Sequence, residues 1–214
     1  MTLNPVETAE LVTREVRTGT RDGVPTRIVV ARRTYATDRA DLWDAVTNAE
    51  RLPRWFLPIS GDLEVGGHYQ FEGNAGGIVE SCQPPERFAV TWQMGEQVSW
   101  LRIALTPTND GTVLELAHEA AIADRTFWDM YGPGAVGIGW DLGLVGLGLH
   151  VAGAGPLNET PADDWAITPD GTAFVRHAAA NWARAAIADG DEPDAATEAA
   201  ERTVAFYTVP PESA

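Results

Sequence analysis

RRTYATDRADLWDAVTNAERLPRWFLP, residues 32 to 58, is the stretch whose reading decides the fold. It begins at the end of a β-rich run, Arg27-Ile-Val-Val-Ala31, and then meets Thr37-Asp38, either of which can cap a helix N-terminus. Leu42, Trp43 and Val46 follow at helical spacing. Asn48 restarts a second short helix, which Pro53 disrupts. Beyond Trp55-Phe56 comes Asp62-Leu-Glu-Val-Gly-Gly-His-Tyr69, a glycine turn leading into a series of strands. The order is therefore one strand, two short helices, then a β-meander.

Later segments extend the pattern. Gly76-Gly-Ile-Val-Glu80 reads as a glycine-led strand, and Pro84-Pro-Glu-Arg-Phe-Ala-Val-Thr-Trp92 as a double-proline turn and a strand ending in Trp. Asp110-Gly-Thr-Val-Leu-Glu-Leu-Ala-His118 reads as a last strand, and Gly139-Trp140 lies in a long closing helix. In order and spacing, residues 27 to 152 resemble the helix-grip (SRPBCC, START-like) superfamily. Within it they are most similar to the bacterial relatives of the activator of heat shock protein 90 ATPase. The resemblance implies an α+β fold: a curved antiparallel sheet of six or seven strands over about 27–119, wrapped around a long C-terminal helix over about 134–151. Two short helices would follow the first strand. The expected organisation is a polar N-terminal arm (1–26), the helix-grip domain (27–155) and a helical C-terminal extension (156–214) packed on the same domain.

Composition bounds the function. The 214 residues suffice for one well-packed domain with an appendage. A net charge of −16 argues against nucleic acid and anionic membranes, which attract basic patches. All 15 basic residues are Arg, which reads as base-composition bias. Cys82 is alone and flanked by a strand pattern, so it reads as a small buried hydrophobe in a reducing cytoplasm. The N-terminus has no apolar segment of the signal-peptide kind. Asn158-Glu-Thr160 matches a glycosylation sequon without consequence in that compartment.

The run from Gly132 to Leu149 approaches transmembrane length, but seven of its 18 residues are Gly and Asp141 sits mid-run, so a buried helix is expected. Gly132-Pro-Gly-Ala-Val-Gly137 matches a dinucleotide-binding pattern only by accident, because it lacks a βαβ context. On a helical wheel Val136, Trp140, Leu144, Leu147 and Val151 share a face flanked by Gly137, Gly143 and Gly148. Those glycines admit two readings, close backbone packing or room for a ligand. The opposite stripe, Ile138, Leu142, Val145 and Leu149, needs a cover. The extension offers one, through a helix carrying Phe174, Ala178, Trp182 and Ala185 and, after Gly190, a second helix to about Tyr207 that includes Phe206. An alternative is that the stripe forms a homodimer interface. Residues 156–214 hold 11 acidic residues against three Arg, so the outer surface is acidic.

Alternation groups Phe88, Val90 and Trp92 on one strand face, Leu101, Ile103 and Leu105 on another, and Leu114, Leu116 and His118 on a third. The candidate ligand-binding residues are Trp55, Tyr69, Trp92, Trp100, Leu116, His118, Trp140, Gly143 and Leu144. No nucleophile elbow and no paired-His spacing marks a triad or a metal site, so no catalytic residue, metal or cofactor is assigned. Arg33, Asp41 and Arg54 read as solvated charges or helix-end partners. The leading expectation is a cytoplasmic, bacterial binding protein for an apolar small molecule (a lipid, polyketide or aromatic metabolite), with no nucleic-acid or membrane partner. Two alternatives follow from the resemblance. One is a cyclase- or aromatase-like enzyme using His118, Tyr69 or Arg102 to move protons. The other is a co-chaperone-like activator of the heat shock protein 90 ATPase.

Overall fold

Asp22 and Gly23 both take positive φ (51° and 80°), the backbone that a two-residue hairpin with the native strand twist requires. They join β1 (Thr13–Arg21) to β2 (Val24–Tyr35). The expected polar arm over 1–26 is thus corrected: it carries a short helix α1 (Pro5–Glu10), capped by the Asn4 side chain, and a full strand. The Thr- and Arg-rich alternation of β1 looks like an arm in sequence, yet it forms one member of a tight hairpin. The computed structural model describes residues 4–122, 125–154 and 165–209.

After β2, the Asp38 carboxylate accepts the backbone N–H of Asp41 and caps α2 (Arg39–Thr47). Asn48, expected to restart a helix, caps the end of α2, and only a single 3₁₀ turn, Leu52–Arg54, forms around Pro53. A meander follows: β3 (Ile59–Gly61), β4 (His68–Phe71), β5 (Gly76–Gln83), β6 (Arg87–Met94), β7 (Gln97–Thr108) and β8 (Gly111–Ala121). The strand order is β1-β2-β8-β7-β6-β5-β4-β3. The sheet has eight strands where six or seven were expected, because the β1–β2 hairpin and the short β3 join it. Pairing from β3 to β8 is antiparallel throughout. With the long helix that follows, this is the helix-grip arrangement.

The helices are α3 (Thr126–Tyr131), α4 (Gly134–Val151), α5 (Pro169–Ala188) and α6 (Pro193–Thr208). The chain forms two compact units. The first holds residues 1–31, 122–142 and 157–214, and the second holds 32–121 and 143–156, so α4 contributes one half to each.

In the first unit, α5 and α6 pack on the N-terminal half of α4. Trp182 lies so close to Gly137 that a Cβ there would fall 2.2 Å from the indole. The Tyr207 hydroxyl donates to the Ala135 carbonyl and the Thr203 hydroxyl to that of Tyr131. Phe174, Ala178, Trp182 and Ala185 are buried, as is Ile138, but Phe206 is 62% exposed, with ring contacts to Tyr131 and Tyr207. Its expected place against α4 is therefore corrected, since α6 turns other residues, Ala199 and Thr203, inward. Arg27 pairs with Asp189 and Asp191 while Trp128 covers its guanidinium at 4.8 Å and donates to Asp191.

Asp141 has no solvent exposure and receives both Arg14 Nε (3.0 Å) and Trp182 Nε1 (2.9 Å) on one oxygen. By length and composition alone α4 could cross a membrane. Asp141 at its centre is nonetheless held by partners from β1 and α5, a packing that belongs to a protein interior. Most of the expected loop from Gly153 to Asp164, with the sequon at Asn158 and the pair Asp163-Asp164, lies outside the described residues.

Candidate functional site

The second unit carries the aromatic residues proposed from sequence for a ligand, except Trp140. Directly paired residues in an antiparallel sheet share a face. Trp92 pairs with Ser99, Val90 with Leu101 and Leu101 with His118. Ile103 pairs with both Phe88 and Leu116. Phe88, Val90, Trp92, Leu101, Ile103, Leu116 and His118 therefore form one continuous surface. Tyr69 and Phe71 add to it from β4: Phe71 meets Trp92 at 5.7 Å between ring centroids, and Tyr69 meets Phe71 at 5.6 Å. Phe56 stands edge-on to Phe71 at 5.1 Å, with Trp55 beside it at 5.6 Å. His118 completes the row against Trp92 at 6.1 Å.

The C-terminal half of α4 closes on this unit through its glycines. A Cβ on Gly143 would meet the Phe56 ring at 3.8 Å, an ordinary contact. One on Gly146 would fall 2.8 Å from the Trp55 carbonyl oxygen, and one on Gly148 only 2.4 Å from the Arg33 guanidinium. Of the two readings of the helix glycines, close packing accounts for 137, 146 and 148, and Gly143 is the one that abuts the aromatic row with space to spare. Leu144 and Leu147 are buried.

Polar groups on this surface are few and mostly engaged. The Tyr35 hydroxyl donates to the Leu144 carbonyl (3.0 Å), and that of Tyr69 to the Thr91 carbonyl (2.7 Å). Burial pushes both phenols well above their ordinary pKa. His118 Nε2 and Ser99 Oγ are 2.7 Å apart, and Ser99 Oγ donates to the Trp92 carbonyl at 2.9 Å. With the serine proton on that carbonyl, the imidazole Nε2–H is the donor to Ser99. Desolvation lowers the His118 pKa to about 4, so the ring is neutral near pH 7.

Of the nine proposed residues, Tyr69, Trp92, Leu116 and His118 lie on the shared sheet surface or its aromatic row. Trp55 adjoins the row through Phe56 and Gly143 abuts the Phe56 ring, while Leu144 is buried and its carbonyl accepts from Arg33 and Tyr35. Trp100 does not: it pairs with Thr91 and Glu119 on the opposite sheet face, a correction that follows from the two-residue period of the strand. Arg102 shares that outer face, exposed and 3.7 Å from Glu119, so it cannot move protons on the aromatic side. Trp140 belongs to the first unit.

Three contributors escaped sequence reading: Phe71, Ser99 and Arg33. The first two were legible by alternation, from Tyr69 and from Leu101. Arg33 has the sequence setting of a solvated charge, but it stacks 5.1 Å from the centre of the Tyr35 ring and donates to the Leu144 carbonyl at 2.8 Å. Its two-residue spacing from Tyr35 was the available signal. Asp41 keeps its expected place at a helix end, bound by Thr37 and Arg51.

Residues 36–147 match the family model described as Activator of Hsp90 ATPase homolog 1-like protein. Among solved structures, the solution structure of CalU16 from Micromonospora echinospora is 28% identical with a TM-score of 0.69, covering 84% of this chain and 97% of its own. The crystal structure of CalU16 gives 26% identity and a TM-score of 0.65 over 81% of this chain and 97% of that one. The likeness to CalU16 thus reaches well beyond the family segment. Protein MLL2253 from Mesorhizobium loti, 22% identical with a TM-score of 0.52 over 59% of this chain and 97% of its own, shares the fold. No curated protein matches. With the helix-grip fold in place and more than half of its length matched, the chain belongs to the Activator of Hsp90 ATPase homolog 1-like family.

Proposed function

We propose that this protein binds an apolar, aromatic-compatible small molecule against the row Phe56–Phe71–Trp92–His118 of the second unit. The observation that carries this reading is the composition of that surface. Three ring contacts run in series on the face that holds buried Leu101 and Leu116, while the tyrosine hydroxyls are spent on backbone carbonyls. A surface of this kind offers dispersion and hydrophobic contact with few fixed polar groups, the usual chemistry of a small-molecule site. Phe71, Trp92 and His118 are carried by strands and so hold a rigid shape, and Phe56 follows the 3₁₀ turn Leu52–Arg54.

A proton-moving, cyclase-like role draws on one observation, the His118–Ser99 pair beside Trp92. The hydroxyl of Tyr69, another candidate for moving protons, is committed to the Thr91 carbonyl. Binding is therefore the stronger reading.

The test is a titration with phenylnaphthylamine, an uncharged aromatic probe that fluoresces on leaving water. Saturable one-to-one binding is expected. Gly143→Leu, whose side chain would extend toward Phe56 from a Cβ only 3.8 Å away, should abolish that binding while the melting temperature stays high. Equal binding by the variant would remove Gly143 and Phe56 from the site, and no binding by the wild type would reject the function.

A further inference from the structure

Arg33 is the exception among the inward-turned arginines. Arg14 is paired with Asp141, Arg27 with Asp189 and Asp191, and Arg51 with Asp41 and Asp44. Even Arg32, its neighbour in sequence, has Glu115 at 2.6 Å. Arg33 has no carboxylate within ion-pair distance among the described residues, and its Nε is buried without a hydrogen-bond partner. Its one polar contact there is a neutral acceptor, the Leu144 carbonyl. The chain has 31 acidic residues against 15 Arg, so partners are not scarce. Leaving a guanidinium half-buried and unpaired costs free energy, because the charge has lost water and gained no counter-charge.

Its position is also specific. Arg33 and Tyr35 project from the same face of β2 and both donate to one carbonyl, that of Leu144. Gly148 admits the guanidinium against α4, where any side chain would collide with it. On the same segment of α4, Gly143 and Gly146 receive Phe56 and Trp55. A cation short of partners and the start of the aromatic row thus abut the same stretch of α4, residues 143–148, from two sides. Guanidinium geometry suits carboxylates and other oxyanions, which accept two parallel hydrogen bonds from it.

We infer that Arg33 is an anion-recognition residue, and that the molecule bound by the second unit is amphipathic: an apolar or aromatic body on the Phe56–Phe71–Trp92 row with a carboxylate or similar oxyanion at Arg33. The inference rests on the binding function proposed above and narrows its ligand class from apolar molecules to organic acids.

Two probes of nearly equal body separate the two claims. Anilinonaphthalene sulfonate carries an anionic group that phenylnaphthylamine lacks. The net charge of −16 disfavours any anion at long range, so a preference for the sulfonate must come from a local cation. The wild type should bind the sulfonate about ten-fold or more tightly than the neutral probe, the factor that one or two charge-assisted hydrogen bonds supply. Arg33→Gln should erase the preference, bringing the affinities for the two probes within about two-fold of each other. Arg33→Lys should retain part of it, since the charge survives and the fork does not. A crystal structure of the wild type with the sulfonate decides the matter even if both variants unfold: the sulfonate should sit on the Arg33 guanidinium. Binding of the neutral probe alone, an unchanged preference in Arg33→Gln, or a sulfonate seated elsewhere would overturn the Arg33 claim and leave apolar binding intact. Failure of both probes would overturn the binding function itself.

Discussion

Replacing Trp182 by Ala tests whether the C-terminal helices are integral to the first unit. The indole is 1% exposed, fills the space above Gly137 and donates from Nε1 to Asp141 Oδ2 at 2.9 Å. Truncation leaves a cavity of indole size and removes one of two donors from a carboxylate with no access to water. Core Trp→Ala substitutions cost about 3–5 kcal/mol, a range that already contains lost hydrogen bonds of this sort. For a chain of this length that corresponds to a melting temperature lower by roughly 6–20 °C. Trp182→Phe separates the contributions, because most of the ring volume remains and the N–H does not. It should cost about 1.5–3 kcal/mol, the worth of a hydrogen bond to a charged acceptor. Calorimetry of the full chain near pH 7 measures both. A Trp182→Ala melting temperature within the error of wild type would refute the packing argument and make the extension a loose acidic tail.

Other outcomes follow from the same geometry. Desolvation raises the Asp141 pKa to about 6 despite Arg14, so the folded state binds that proton more tightly than the unfolded chain does. Stability from this group is present at low pH and lost as pH rises from about 4 to 6; relative to Asp141→Asn, the wild type should lose unfolding free energy across that window, and a flat difference would contradict the shift. His118 has the opposite sign: with its pKa lowered to about 4, its contribution is lost as pH falls from about 6.5 to 4. Relative to His118→Gln, the wild type should therefore weaken on acidification, which denaturant titrations at stepped pH would detect or exclude. Gly137→Ala should destabilise by about 1–3 kcal/mol through collision with Trp182. Gly139→Ala, whose Cβ would rest 3.4 Å from the Tyr207 hydroxyl at an exposed position, should be neutral or gain up to about 1 kcal/mol of helix propensity. Equal melting temperatures for the two would undo the close-packing account of α4.

The elements that sequence reading located well are those with local causes. Asp38 at the α2 cap and Asp110-Gly111 at the start of β8 each act within a few residues of their own position. The β1–β2 hairpin was equally legible through Asp22-Gly23, but the polar alternation of β1 concealed it. The site is harder to read because its assignments depend on partners distant in sequence. Trp100 and Leu101 are adjacent and both apolar, and only pairing to β6 and β8 decides which one joins the aromatic row. Arg33 looks solvated until Leu144, 111 residues away, supplies its acceptor. The α4 glycines could not reveal whether they make space or receive a neighbour, since Trp182, Trp55 and Arg33 reach them from three separate segments.

The central claim is that a small molecule lies on the aromatic row of the second unit, and intermolecular NMR contacts in the phenylnaphthylamine complex test it most directly. The account predicts nuclear Overhauser contacts from the probe to Phe56, Phe71, Trp92, His118 and Leu144. A saturated complex whose contacts fall only on other residues would contradict it.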